Sequence, residues 1–139
     1  MTGGSRRANL AQEVARATEA LSAAEALLEA GLLADSISRA YYSAFHWLRA
    51  LLVSRGVEPR SHSGALHLFD LELVRTSVFP ASCNRLLGAL QRARELADYD
   101  AAVAFTAEEA AQQLEDARAF AGIARGFLVG EGWIEADPS

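Results

Sequence analysis

The stretch SRAYYSAFHWLRALL, Ser38 to Leu52, decides the fold. Read at 3.6 residues per turn, Ile37, Tyr41, Phe45, Leu48 and Leu52 recur at steps of three and four and make one apolar stripe. Arg39, Tyr42, His46, Arg49 and Val53 make a second stripe, polar and aromatic, on another face. A helix loaded on both faces belongs to a core on one side and meets solvent, a partner or a ligand on the other. Trp47 falls near the edge of the apolar stripe, where a large ring is placed to anchor an interface.

Outward from this helix the same periodicity continues. Leu10, Val14, Ala17, Leu21, Ala24 and Leu28 predict a helix over Asn9–Ala30, stopped by Gly31. Asp35 or Ser36 is the expected cap of the Ser38–Leu52 helix, which runs to about Arg55 and closes at Gly56. After a loop with Pro59, Ser61 or Ser63 caps a short helix through ALHLFDLELV. Pro80 fits the first turn of a fourth helix, Ala81 to about Tyr99. Thr106-Ala-Glu-Glu109 is a capping box opening a fifth, to about Val129, with Ala110, Leu114, Ala117 and Ala121 in register. The pattern predicts an all-α fold, an antiparallel up-and-down bundle of four long helices plus one short helix. Residues 1–8 are expected as a flexible N-terminal tail, 9–129 as the bundle and 130–139 as an acidic C-terminal tail, in which Trp133 and Ile134 are large enough to dock.

Composition sets bounds on function. At 139 residues, 51% of them hydrophobic and 22% charged, the chain is one globular domain. The net charge of −5 argues against indiscriminate polyanion binding but leaves room for a local arginine site. All 13 basic residues are arginine, the side chain that suits bidentate phosphate contacts. Cys83 is the sole cysteine, so no intrachain disulfide forms, and its apolar neighbours predict a small core residue. No Cys/His cluster has metal-ligand spacing, and no metal or cofactor is expected. No run approaches the roughly 20 apolar residues of a membrane span, and MTGGSRR does not begin a signal peptide. A cytoplasmic protein without membrane contact is expected.

The second constellation is LQRARELADYD, Leu90 to Asp100. Arg85, Arg92 and Tyr99 are spaced by seven and share a helix face, with Arg94 beside them. Arginine next to tyrosine suits a phosphate oxygen plus a stacking or hydroxyl contact. The same spacing also makes plain ion pairs, Arg94 with Asp98 and Arg92 with Glu95.

SRAYYSAFHWLRALL, SHSG before a short helix and RELADYD, in this order and at these distances, resemble the HEPN domain over about residues 10–128. The resemblance implies a helical bundle that pairs with itself across a cleft. Many such proteins are metal-independent ribonucleases, often toxins or defence effectors. Their signature is an arginine, four to six residues and a histidine on a late helix; the arginine stabilises charge on the phosphate and the histidine handles the 2′-hydroxyl proton. A longer form adds a tyrosine two residues on, where a minimal nucleotidyltransferase antitoxin attaches nucleotide. Read from Arg92, the arginine and the later tyrosine, Tyr99, match but Ala97 stands where the histidine belongs; read from Arg94, Tyr99 itself stands in the histidine position. Arg39 and His46 satisfy the loose spacing, but on the second helix. His62 and His67 flank the start of the short helix.

The expected catalytic set is therefore Arg92, Arg94 and Tyr99 with His46 as substitute histidine, approaching across the bundle or the dimer. Arg39, Tyr42, Arg85 and Asp98 are the expected RNA or nucleotide contacts. Three functions follow from the resemblance: a homodimer that binds RNA or a nucleotide and works with a partner such as a minimal nucleotidyltransferase, an active ribonuclease toxin, or a purely structural homodimer. The negative charge favours the first and third over the second, and the retained arginines and Tyr99 with the replaced histidine support the first.

Overall fold

The apolar stripe of Ser38–Leu52 becomes the central helix of a bundle, in a computed structural model that describes residues 3–136. The helices are α1 (Gly3–Glu29), α2 (Leu33–Ser54), α3 (His62–Phe69), α4 (Ser82–Tyr99) and α5 (Ala107–Gly130), and a π-helical turn, Asp70–Val74, prolongs α3. Among the described residues there is no strand. Four long helices and one short one are what the periodicity predicts.

Helix ends follow local chemistry. Gly31 (φ 78°) and Gly56 (φ 74°) take the left-handed conformation that ends α1 and α2, where a side chain would be strained. The Ser61 hydroxyl accepts from the Gly64 amide at 2.9 Å and caps α3. The capping box on α5 is complete, with Glu109 N–H donating to Thr106 Oγ1 at 3.1 Å and Thr106 N–H to Glu109 Oε1 at 2.9 Å. Two ends differ from expectation. Helix α2 starts at Leu33, before Asp35 and Ser36, and its N-cap Leu32 offers no side-chain bond. Asp35 instead lies in the first turn, where the helix dipole favours a negative charge. Pro80 lies outside α4, one residue before the cap Ala81.

Both expected tails are folded as far as they are described; Met1, Thr2 and residues 137–139 lie outside the described residues. Helix α1 begins at Gly3 rather than Asn9. Arg7, on that extra turn, donates from Nη1 to the carbonyls of Gly132 (2.9 Å) and Trp133 (3.1 Å), with its guanidinium 5.0 Å from the Trp133 ring centre. Trp133 and Ile134 pack against the core beneath it. An arginine that satisfies two carbonyls and an indole face orders both ends at once.

Helix α2 touches α1, α3, α4 and α5. Enclosure by four neighbours buries more than one stripe: Leu51 is as inaccessible as Leu48 and Leu52. Trp47, expected as an interface anchor, is 2% exposed and lies under Arg125. Cys83 is fully buried, as its neighbours predict. Between α1 and α2 two buried hydroxyls need partners and find backbone carbonyls, Ser36 to Ala24 and Ser43 to Ala17, each at 2.8 Å. On the same interface Glu13 takes His46 Nδ1 at 3.1 Å on one oxygen and Arg49 Nε at 2.6 Å on the other. Burial pushes the Glu13 carboxyl up, but the two donors outweigh it and hold the group below its ordinary value of 4.5.

Two stability measurements follow. Leu48→Ala leaves a hole at the centre of the bundle and should cost about 2–5 kcal/mol, read as a lower urea midpoint at unchanged slope. A carboxyl depressed in the folded state stabilises above its unfolded value and loses that contribution as pH falls through the folded one. Glu13→Gln should therefore lower stability at pH 7 and flatten its decline below pH 4.5 relative to the wild type.

Candidate functional site

Helix α4 packs on α2 so that position 94 points inward. Arg94 is 8% exposed, and its guanidinium carbon lies 4.9 Å from the ring centre of Tyr41 and 5.8 Å from those of Tyr42 and Tyr99. Nη1 donates to Asp98 Oδ2 at 3.4 Å and to Tyr99 Oη at 3.3 Å, both long for charge-assisted bonds. Nε is buried without a partner. The other oxygen of Asp98 accepts a hydrogen bond from the Ser38 hydroxyl, which ties α4 to α2. Burial works against the Arg94 charge; the surrounding oxygens of Tyr42, Tyr99 and Tyr41 more than compensate and raise its pKa.

Beneath Arg94, the buried Tyr41 directs its hydroxyl to Nδ1 of His62 at 2.8 Å, and burial pushes its phenol pKa up. His62, the first residue of α3, stacks on Phe45 with ring centres 4.0 Å apart and planes within 11°. It also meets the Tyr42 ring edge-on at 6.0 Å. Burial, and then the charges of Arg94, Arg49 and His46, lower the pKa of His62, so the imidazole is neutral at neutral pH. Arg94 and His62 thus share the same two tyrosine rings as neighbours.

The structure brings Arg94, Asp98, Tyr99 and Tyr42 together, and Arg39 extends the group, its guanidinium carbon 5.1 Å from the ring centre of Tyr42. Tyr99 is 77% exposed and forms the rim. With Arg92, Arg94, Glu95, Leu96 and Asp100 it borders an open depression of about 640 Å³. Arg92 is exposed on that rim, and Arg85 is exposed two turns earlier on α4. His46 is not delivered to Arg92: Glu13 holds its Nδ1, and the ring borders a separate, smaller depression of about 190 Å³ with Arg16, Arg39 and Tyr42. The expected Arg94–Asp98 pair exists, but as a buried strut rather than a solvated surface bridge.

The sequence gives no sign of the parts played by Ser38 and Glu13, marks His62 only by its place at the start of the short helix, and presents Tyr41 as core alone. One signal was available: a fully buried tyrosine needs a polar partner for its hydroxyl. Among the described residues no group of three or more His, Cys, Asp or Glu side chains is placed to hold a metal ion.

The HEPN domain family model matches residues 12–126. Over 58 residues the chain is 55% identical to "UPF0332 protein PH1297" of Pyrococcus horikoshii, covering 42% of this chain and 41% of that protein. It is 36% identical over 115 residues to "UPF0332 protein glr0978" of Gloeobacter violaceus, covering 81% of this chain and 90% of the relative. It is 27% identical over 124 residues to "Putative toxin MJ0142" of Methanocaldococcus jannaschii, covering 89% and 84%. The matched span takes in the whole Arg94 cluster, from Ser38 to Tyr99, and the chain belongs to the HEPN domain family.

Proposed function

We propose that this protein is the HEPN member of a toxin–antitoxin pair and binds RNA or nucleotide phosphate at Arg94. The observation that carries the proposal is the state of that guanidinium. It is buried, fixed by three rings, held by two long hydrogen bonds and left with an unpartnered Nε. A buried cation with an idle donor gains most from an anion with several acceptor oxygens. Tyr42 and Tyr99 beside it offer faces on which unpaired bases stack. The toxin context rests on the name of the Methanocaldococcus relative.

A second copy is the proposed neighbour on the face where Leu96 and Tyr99 are 46% and 77% exposed. A minimal nucleotidyltransferase is the proposed partner, with Tyr99 on the rim as the hydroxyl within its reach. No helix among the described residues is long and apolar enough to cross a membrane. We place the pair in the cytoplasm. One observation favours ribonuclease activity as a second reading: the arginine has a histidine for a neighbour after all, from α3 instead of α4.

Arg94→Ala should weaken binding of a labelled single-stranded RNA by about ten- to a hundredfold, the effect of losing a charge-assisted contact of roughly 1.5–3 kcal/mol. Arg92→Ala, at an exposed position, should weaken it less and mainly flatten the salt dependence. Equal binding by wild type and Arg94→Ala would sink the proposal. Co-expression with a neighbouring nucleotidyltransferase should add nucleotidyl mass to the wild type and none to Tyr99→Phe.

A further inference from the structure

A cleft of about 410 Å³ opens between the N-terminal half of α1 and the turn that follows α2. It shares no lining residue with the depression at Arg94. Two guanidiniums belong to its wall, Arg6 from α1 and Arg49 from α2. Arg49 spends Nε on Glu13 and leaves both terminal nitrogens without hydrogen bonds among the described residues. Arg6 lies against Gly56, with Nη2 3.0 Å from where a β carbon would stand, so the absent side chain gives the guanidinium its place. The Arg6 Nε is buried without a hydrogen-bond partner. The C-terminal dipole of α2 favours a cation there but offsets only part of a full charge. Glu13 answers Arg49 and His46, and Glu58 is exposed; among the described residues neither carboxylate pairs with Arg6.

These features define what the cleft accepts. Idle donors on two arginines call for an oxyanion. With Glu13 taken up by Arg49, one positive charge is left over, and a second negative charge on a ligand would meet Glu13 and Glu58. The matching anion is therefore singly charged. The volume falls in the roughly 300–1,000 Å³ range of small-molecule clefts, more than a bare anion fills. Val53 and Val57 give the rest of a ligand an apolar floor, and the exposed amide of Gln12 donates to or accepts from a polar edge. We infer that this cleft is a second ligand site, which takes a small molecule with one singly charged oxyanion, a carboxylate or a phosphodiester, on a largely apolar body of up to nucleotide size. The anion sits between Arg6 and Arg49, and the body lies on Val53 and Val57. The site is independent of nucleic-acid binding at Arg94.

Calorimetric titration of the full chain with two probes tests the site and separates the two sources of the anion. Indole-3-carboxylate stands for the carboxylate and 3′,5′-cyclic AMP for the phosphodiester. At least one should bind, and Arg6→Gln should weaken that binding by about tenfold or more. Gln12→Trp, at an exposed position of α1, fills the cleft without touching either arginine and should abolish binding while the urea midpoint stays near that of the wild type. It decides the matter should Arg6→Gln fail to fold. Arg94→Ala should bind the probe as the wild type does. If cyclic AMP is the probe that binds, 5′-AMP, with about two negative charges, should bind more weakly. Failure of both probes overturns the inference, as does binding that survives Arg6→Gln and Gln12→Trp. Binding lost in Arg94→Ala and kept in those two variants also overturns it, because the probe then sits at Arg94. Tighter binding of 5′-AMP than of cyclic AMP overturns the singly charged ligand.

Discussion

A guanidinium sealed among tyrosine rings is the constraint to which the functional face of this bundle answers. Removing a full charge from water costs several kcal/mol, and the cost persists unless neighbours offset it. Here the offset comes from ring faces, each worth about 0.5–2 kcal/mol, and from one carboxylate at long range. Tyr41 and Tyr42 supply the faces from α2, Tyr99 closes the outside, and Asp98 balances the charge from within α4. Ser38 then binds the other oxygen of Asp98, so the carboxylate that answers the cation is tied to α2 as well as α4. Face contacts satisfy charge without consuming N–H donors, which is why Nε is still idle after the charge is balanced.

Helix α2 meets two demands that pull on its sequence in different ways. Its apolar side must fill the space between four neighbours, which explains why Trp47 and Leu51 are as deeply placed as the main stripe. Its other side must present rings and cations without collapsing onto them. Tyrosine reconciles the two, because the body of Tyr41 packs with Phe45 while its hydroxyl reaches His62. The crowding of aromatic and basic residues in this one helix is the result.

Much of this architecture is legible in the sequence because helices write themselves at a local period. The glycines after α1 and α2, the Thr106–Glu109 box and the apolar spacing all act within a few residues of the chain. The candidate site is legible only in part. Arg94, Tyr99, Asp98 and Tyr42 announce themselves by type and spacing, yet whether Arg94 faces solvent or α2 depends on how α4 is rotated about its axis, which no local signal sets. His62 joins Arg94 only through a loop and an interhelical contact. Glu13 claims His46 from 33 residues away, so the histidine that spacing favours is engaged elsewhere. The early start of α1 was hidden for the same reason, since Arg7 finds its partners 125 residues on.

The two serine bonds between α1 and α2 have a mechanical consequence. Ser36 and Ser43 are seven residues apart, as are the Ala24 and Ala17 carbonyls they grip, so the bonds form two evenly spaced rungs. Sliding one helix along the other by a turn would break both rungs together and strand two hydroxyls in a dry interface. The hairpin of α1 and α2 is therefore a fixed wall. Tyr41 and Tyr42 stand on that wall between the two rungs, so the height at which they meet Arg94 is fixed along with it.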